Sequence, residues 1–185
     1  MEEARRDKPP CKPKNQDRRE REYLTLEEVT KLIDCAGQTG RHGARDAILI
    51  QMAFEHGLRT SEIAGLQWSD IDLDNGTLTL KRAQQSSCFT HELPAEEKIA
   101  LLKLRNETPA RYPFVFRSER KGQLKPRVIH AIIARAGVLA GIEFPIHPQM
   151  LRNSKGHQMA AGGADTKTIN QYIGSLRKLD RKSPH

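Results

Sequence analysis

Two arginines stand out by residue type and by their matching surroundings. Arg59 lies in Gly57-Leu58-Arg59-Thr60-Ser61-Glu62-Ile63, and Arg152 in His147-Pro148-Gln149-Met150-Leu151-Arg152. Each falls at the predicted start of a helix, where unpaired backbone N–H groups already favour an anion. A guanidinium is a planar fork of donors that matches phosphate oxygens two at a time. Brought together by the fold, the two forks would clamp one phosphate. The plainer alternatives are a cap or a pair with Glu62 for Arg59, and a pair with Asp165 for Arg152.

Other basic residues could add phosphate contacts: Lys81, Arg82, Lys155, Arg177, Lys178, Arg181 and Lys182. Any one of them is more often simply solvated. Together they would give salt-sensitive binding with little sequence preference. The whole chain of 185 residues carries a net charge of +8, which points to a polyanionic partner. Its apolar share of 37% is low, so the core must be concentrated in part of the chain. Cys11, Cys35 and Cys88 are widely spaced, cannot all pair and make no metal pattern, as in a reducing compartment. No apolar run approaches the about 20 residues that a membrane span needs. The expectation is a cytoplasmic protein with no membrane partner.

The elements that must position the two arginines follow from periodicity. Residues 1–22 are charged and proline-bearing with little to bury, and read as a disordered arm. Thr25 with Glu28 is a capping box, and Leu26, Val29, Leu32 and Ile33 continue with helical spacing. Further helices are predicted from about Ala44 to Glu55 and from Thr60 to about Leu66. Trp68 to Leu73 reads as a turn, with Trp68 as a core anchor. Asp74-Asn75-Gly76 signals a turn into a strand at Thr77–Leu80. Its partner is expected at Thr90–Leu93, across a polar loop from Ala83 to Ser87. A helix over Ala95–Leu104, a short strand or edge over Tyr112–Phe116 and a helix over Lys125–Leu139 come next. The helix carrying Arg152 should end by Gly162-Gly163, and a last one runs from Asp165-Thr166 through Tyr172 to Ile173. His91 reads as a fold or surface residue and His147 as a structural hydrogen bonder. Tyr172 reads as packing.

From Tyr23 to about Gly174 these residues resemble the catalytic domain of tyrosine recombinases, the phage-integrase family. The short fimbrial-switch invertases are the most similar members. Gly57 to Leu66 followed by Trp68-Ser69-Asp70-Ile71-Asp72 matches the family's first box, and His147 to Arg152 its second. Gly163 to Ile169, continuing to Tyr172-Ile173-Gly174, matches the third. Three ordered boxes make a specific signal where one would be weak. The resemblance implies a mainly helical α+β fold with a small antiparallel hairpin, occupying residues 23–174. It implies double-stranded DNA as partner, and neither metal nor other cofactor. Members attack a phosphodiester with a tyrosine oxygen, while two arginines stabilise the charge that gathers on the non-bridging oxygens. A hairpin lysine and two further proton-handling side chains assist.

The departures from that pattern are specific. Gln84 and Gln85 stand at the hairpin-lysine position, and glutamine has no acidic proton to give a leaving alkoxide. Lys81 or Arg82 would substitute only with a slipped hairpin register. Gln149 replaces the second-box histidine, Ser175 the third-box histidine or tryptophan, and Pro184 the tyrosine nucleophile. Residues 175–185, an atypical basic tail, contain no tyrosine. Arg59 and Arg152 alone of the catalytic set are kept, which implies DNA binding without cleavage, as a monomer or weak dimer or beside an active relative. The competing reading is a small transcription regulator, because Ala44 to Leu66 resembles a helix-turn-helix pair.

Overall fold

A computed structural model describes residues 21–81 and 88–174. Helices α1 (Leu26–Gly37), α2 (Gly43–Glu55) and α3 (Thr60–Gly65) precede a three-stranded sheet. Its strands are β1 (Ile71–Asp72), β2 (Thr77–Lys81) and β3 (Cys88–Glu92). Helices α4 (Ala95–Asn106), α5 (Pro126–Leu139), α6 (Pro148–Ala161) and α7 (Thr166–Ile173) follow. The architecture is the mainly helical α+β one expected from the sequence.

Helix α1 begins at the capping box read from the sequence. Glu28 N–H donates to the Thr25 hydroxyl, and Thr25 N–H donates to the Glu28 carboxylate. The chain is already docked before that point. Arg21 pairs with Glu28, and the Glu22 carbonyl accepts from Asn153 at 2.8 Å, so these two residues, assigned to the arm from sequence, are docked on the domain. Leu24 N–H donates to the Ser154 hydroxyl at 2.7 Å, and that hydroxyl donates on to the Met150 carbonyl.

Helix α2 is the centre of the molecule and packs against α1, α3, α4 and α6. Leu49, Ile50, Met52 and Ala53 are buried on more than one side of it, as befits a helix with neighbours all round. Gly43 lets α1 and α2 approach closely, since a Cβ there would sit 2.3 Å from the Gly37 carbonyl oxygen. Asp46, buried, accepts from Arg45 of its own helix and from Arg135 of α5 at 3.1 Å. Arg45 also donates to the Arg117 carbonyl at 2.6 Å. A buried carboxylate held by two guanidinium groups is tolerable because its lone pairs are met.

The sheet order is β1-β2-β3, antiparallel throughout. The sequence reading missed β1 and placed its residues in a turn. Two residues are too few to show alternation, and the pairing Ile71↔Leu78 is decided by burial of both side chains. The Asp74-Asn75-Gly76 signal is a real turn. Asp72 accepts from the backbone N–H groups of Asp74 and Asn75, and Gly76 takes φ 66°. Tyr112–Phe116 forms no strand among the described residues; one bridge pairs Phe114 with Gln67. Backbone bonds from Trp68 to the Pro113 carbonyl and from Val115 to the Leu66 carbonyl hold that segment instead. The polar loop expected at Ala83–Ser87 lies outside the described residues.

Helix α7 is capped by Asp165, whose carboxylate accepts from Thr168 N–H at 2.7 Å. The Thr168 side chain and backbone hold the Asp165 carboxyl below its ordinary value. The cap therefore stabilises α7 above the carboxylate range, and that contribution disappears as pH falls through the lowered value. Replacing Asp165 with Asn should keep the cap and remove this pH dependence, which amide exchange of α7 measured between acidic and neutral pH would read. Gly57 is the second sensitive point. It takes φ 56°, and a Cβ there would lie 2.5 Å from Ile173 Cγ2. Gly57→Ala should destabilise by roughly 2 kcal/mol or more, as urea unfolding would show.

Candidate phosphate-binding site

The first arginine sits where α2 turns into α3. Gly57 and Leu58 N–H donate back to the Phe54 and Ala53 carbonyls, closing the end of α2. The left-handed Gly57 then redirects the chain, so that Arg59 becomes the N-cap residue of α3. Arg59 N–H is taken by the Glu62 carboxylate at 2.7 Å, while the guanidinium lies 3.8 Å from the same carboxylate. That longer approach is a loose pair on a side chain 34% exposed. The plainer reading of Arg59 thus holds for its backbone, and its charged head still reaches solvent.

Arg152 is placed by α6, which starts with Pro148 at its first turn, a position where the missing N–H costs nothing. Unlike Arg59 it is only 1% exposed. One guanidinium nitrogen donates to the Gly57 carbonyl at 2.6 Å, and the other donates to the Gly174 carbonyl at 2.6 Å. Arg152 therefore pins the turn before Arg59 to the end of α7. The segments carrying the two arginines do converge, as the phosphate-clamp reading requires. The second fork, however, is buried, and its two described bonds go to backbone carbonyls. Neither bond is to Asp165, the partner considered from the sequence; Asp165 caps α7.

The flanking residues have structural work. His147 lies 3.3 Å from the Glu22 carboxylate, the kind of bond expected of it. Gln149, at the second-box histidine position, donates to Asn153 at 3.0 Å on the exposed face of α6. Lys155 is held by Glu55 at 2.7 Å, with its ammonium 5.4 Å from the Phe54 ring centre, and is mostly covered. Lys81 ends β2, its backbone opposite Cys88, so the register of the described strands is regular up to the loop. Arg82, Gln84, Gln85, Ser175 and Pro184 lie outside the described residues, as do Arg177, Lys178, Arg181 and Lys182.

One constellation escaped the sequence reading. His56, the residue before Gly57, is fully buried with His91 of β3 and Glu97 of α4. His56 Nδ1 and His91 Nδ1 are 3.3 Å apart, and His56 Nε2 lies 3.1 and 3.2 Å from the two Glu97 oxygens. The His91 ring also packs on Tyr172, whose hydroxyl donates to the Glu55 carbonyl at 3.2 Å. Nothing in the charge-rich run around Glu97 marks that acid as buried. The position of His56 beside the first box was the available clue.

Comparison with known proteins agrees with this geometry. The Phage integrase family profile matches residues 22–175. The type 1 fimbriae regulatory proteins FimE and FimB of Escherichia coli (strain K12) are 35% and 38% identical to this chain. The matches cover 83% and 85% of this chain and 80% of each relative. The XerH site-specific recombinase, solved bound to its difH substrate, superposes with a TM-score of 0.71 at 20% identity. That match covers 84% of this chain but only 47% of the XerH chain, and it speaks to fold alone. The helix-turn-helix regulator reading is not favoured, since the match runs through the hairpin and the C-terminal helices. On this evidence the chain belongs to the phage integrase family, the tyrosine recombinases of site-specific DNA recombination.

Proposed function

We propose that this chain binds double-stranded DNA at recombination sites and does not cut it. The observation that carries the reading is the selective survival of the charge-stabilising pair. Arg59 and Arg152 stand in matched boxes, while Gln84 and Gln85, Gln149, Ser175 and Pro184 replace the groups that move protons or attack phosphorus. Catalytic units fail steeply when even one member is lost. Two forks that bind a phosphate, without acid, base or nucleophile, leave affinity and no turnover. The +8 charge supports the same partner.

The closed setting of Arg152 adds a step to this reading. A DNA phosphate reaches that guanidinium only when one carbonyl gives way. Its two acceptors are Gly57, in the turn packed near Ile173, and Gly174, which follows α7. Arg59 supplies the first phosphate contact, and Arg152 joins once one of its carbonyl acceptors withdraws. Lys155, held by Glu55, is a secondary contact at most. Lys81 and Arg82 border the hairpin loop and would follow the backbone of the same duplex. The protein occupies its site as a monomer or weak dimer, or beside an active relative.

A nicked suicide substrate carrying inverted repeats tests both halves of the proposal. Binding that weakens steeply with salt, with no covalent protein–DNA band on a denaturing gel, is the expected result; a covalent band would overturn it. Arg59→Ala should weaken binding about tenfold and lower the salt slope by about one. An unchanged slope would remove Arg59 from the interface. Arg152→Leu should also destabilise the fold by roughly 3 kcal/mol, because two buried carbonyls lose their donor, so its DNA affinity is to be compared at matched folded fraction.

A further inference from the structure

From Arg117 to Arg127 the chain carries five basic residues and one acid. Arg120, Lys121, Lys125 and Arg127 are exposed. Three cations of this region gather on one aromatic ring. The guanidinium carbons of Arg111 and Arg117 lie 5.0 and 4.8 Å from the centre of the Tyr112 ring. Arg111, and with it Lys121, hydrogen-bonds the Tyr112 hydroxyl and holds the phenol below its ordinary value. Among the described residues no carboxylate is ion-paired with any of these three cations. Glu119, the acid of the run, faces the α1–α2 turn instead, 3.6 Å from Arg41 and 3.5 Å from His42. Like charges gathered without a counter-charge repel one another, and an aromatic face offsets only part of that cost. An anion arriving from outside relieves it.

The backbone beneath these cations is tied down. Ser118 N–H donates to the Gly122 carbonyl at 2.8 Å, Lys121 N–H to the Ser118 carbonyl at 2.9 Å, and Arg117 bridges to Gln123. Lys121 alone of the described non-glycine residues takes a positive φ, 65°. Side-chain-bearing residues adopt that conformation at a cost, and it recurs at ligand-binding sites. Upstream, the Pro113 carbonyl accepts from Trp68 at 2.9 Å, and Val115 N–H donates to the Leu66 carbonyl at 3.0 Å. These bonds fix the segment to the C-terminal end of α3, whose N-terminal end presents Arg59. The six residues of α3 span about 9 Å. A duplex carries a phosphate every 3.4 Å or so of its axis on each strand, about 3.4 Å being the rise per base pair. A cluster at that remove therefore meets phosphates other than the one at Arg59.

We propose that Arg111, Arg117 and Lys121 form a second phosphate-contact surface for the DNA backbone, beside the Arg59–Arg152 site, with Tyr112 as the positioning residue that holds both guanidinium groups in place. The inference rests on the DNA-binding reading above and extends it to a surface outside the three matched boxes. A planar guanidinium already stacked on a ring has lost freedom before its partner arrives, so less is lost on contact. Contacts of this kind go to phosphate and carry no base information. The surface sets affinity and placement on the duplex, not the choice of site.

Salt dependence separates charge from positioning. Binding of the full chain to a duplex with inverted repeats is measured between about 50 and about 200 mM salt, with urea unfolding giving the folded fraction of each variant. Arg111→Gln combined with Lys121→Gln should lower the slope of log affinity against log salt by about two. An unchanged slope would overturn the proposal. Tyr112→Leu keeps all three charges, so it should weaken binding about fivefold at one salt concentration and leave the slope alone. Tyr112→Phe keeps the ring face and should stay within about twofold of the native chain. Leu and Phe variants alike in affinity, both strong or both weak, would strip Tyr112 of its role. A native chain that fails to bind the duplex would sink the DNA-binding reading itself. Binding that Arg59→Ala weakens and the Arg111 and Lys121 changes leave untouched would sink the second surface alone.

Discussion

The guanidinium of Arg152 is the joint on which the molecule turns. A buried cation is costly unless its donors are met, and here two backbone carbonyls from segments far apart in the chain take up two of them. One belongs to the turn that presents Arg59, and the other closes α7. The same side chain that qualifies chemically as a phosphate ligand thus also seals the end of the fold. Positions around it are constrained accordingly. Gly57 has no room for a Cβ, Ile173 fills the space against it, and the middle of α6 is tied to Leu24 through Ser154.

This double use separates the two arginines that look alike in sequence. Arg59 is a surface group whose backbone caps a helix and whose head is loosely paired. Arg152 is a core residue, whatever its part in the proposed site. The fold needs Arg152 for its bonds to the Gly57 and Gly174 carbonyls, whatever the site does. Retention of the second-box arginine is therefore explained by packing as well as by DNA, while Arg59, with less structural burden, is the sharper indicator of a phosphate partner.

Much of the fold was legible because its signals are local. The Thr25–Glu28 box, the Asp74-Asn75-Gly76 turn and the helix carrying Arg152 all sit where spacing and capping chemistry placed them. What was illegible depends on partners distant in the chain. Strand β1 exists because Ile71 meets Leu78, and the Tyr112–Phe116 segment is held by single backbone bonds, not by a sheet. The buried state of Glu97 follows from where α4 lands on α2, which no window of sequence reports. The convergence of the Arg59 and Arg152 segments was legible through the boxes; the shielding of Arg152 was not, because it is made by carbonyls, which every residue has.

The Ser154 hydroxyl gives the N-terminal end of the domain a mechanical role. It receives the Leu24 amide and passes its own proton to Met150, one turn along the helix that bears Arg152. Asn153 and His147 grip Glu22 from the same helix. A load applied at Arg21 would be shared between α1, through Glu28, and α6, through Asn153 and Ser154. The helix that carries the buried Arg152 is in this way the one tied directly to residues 22–24.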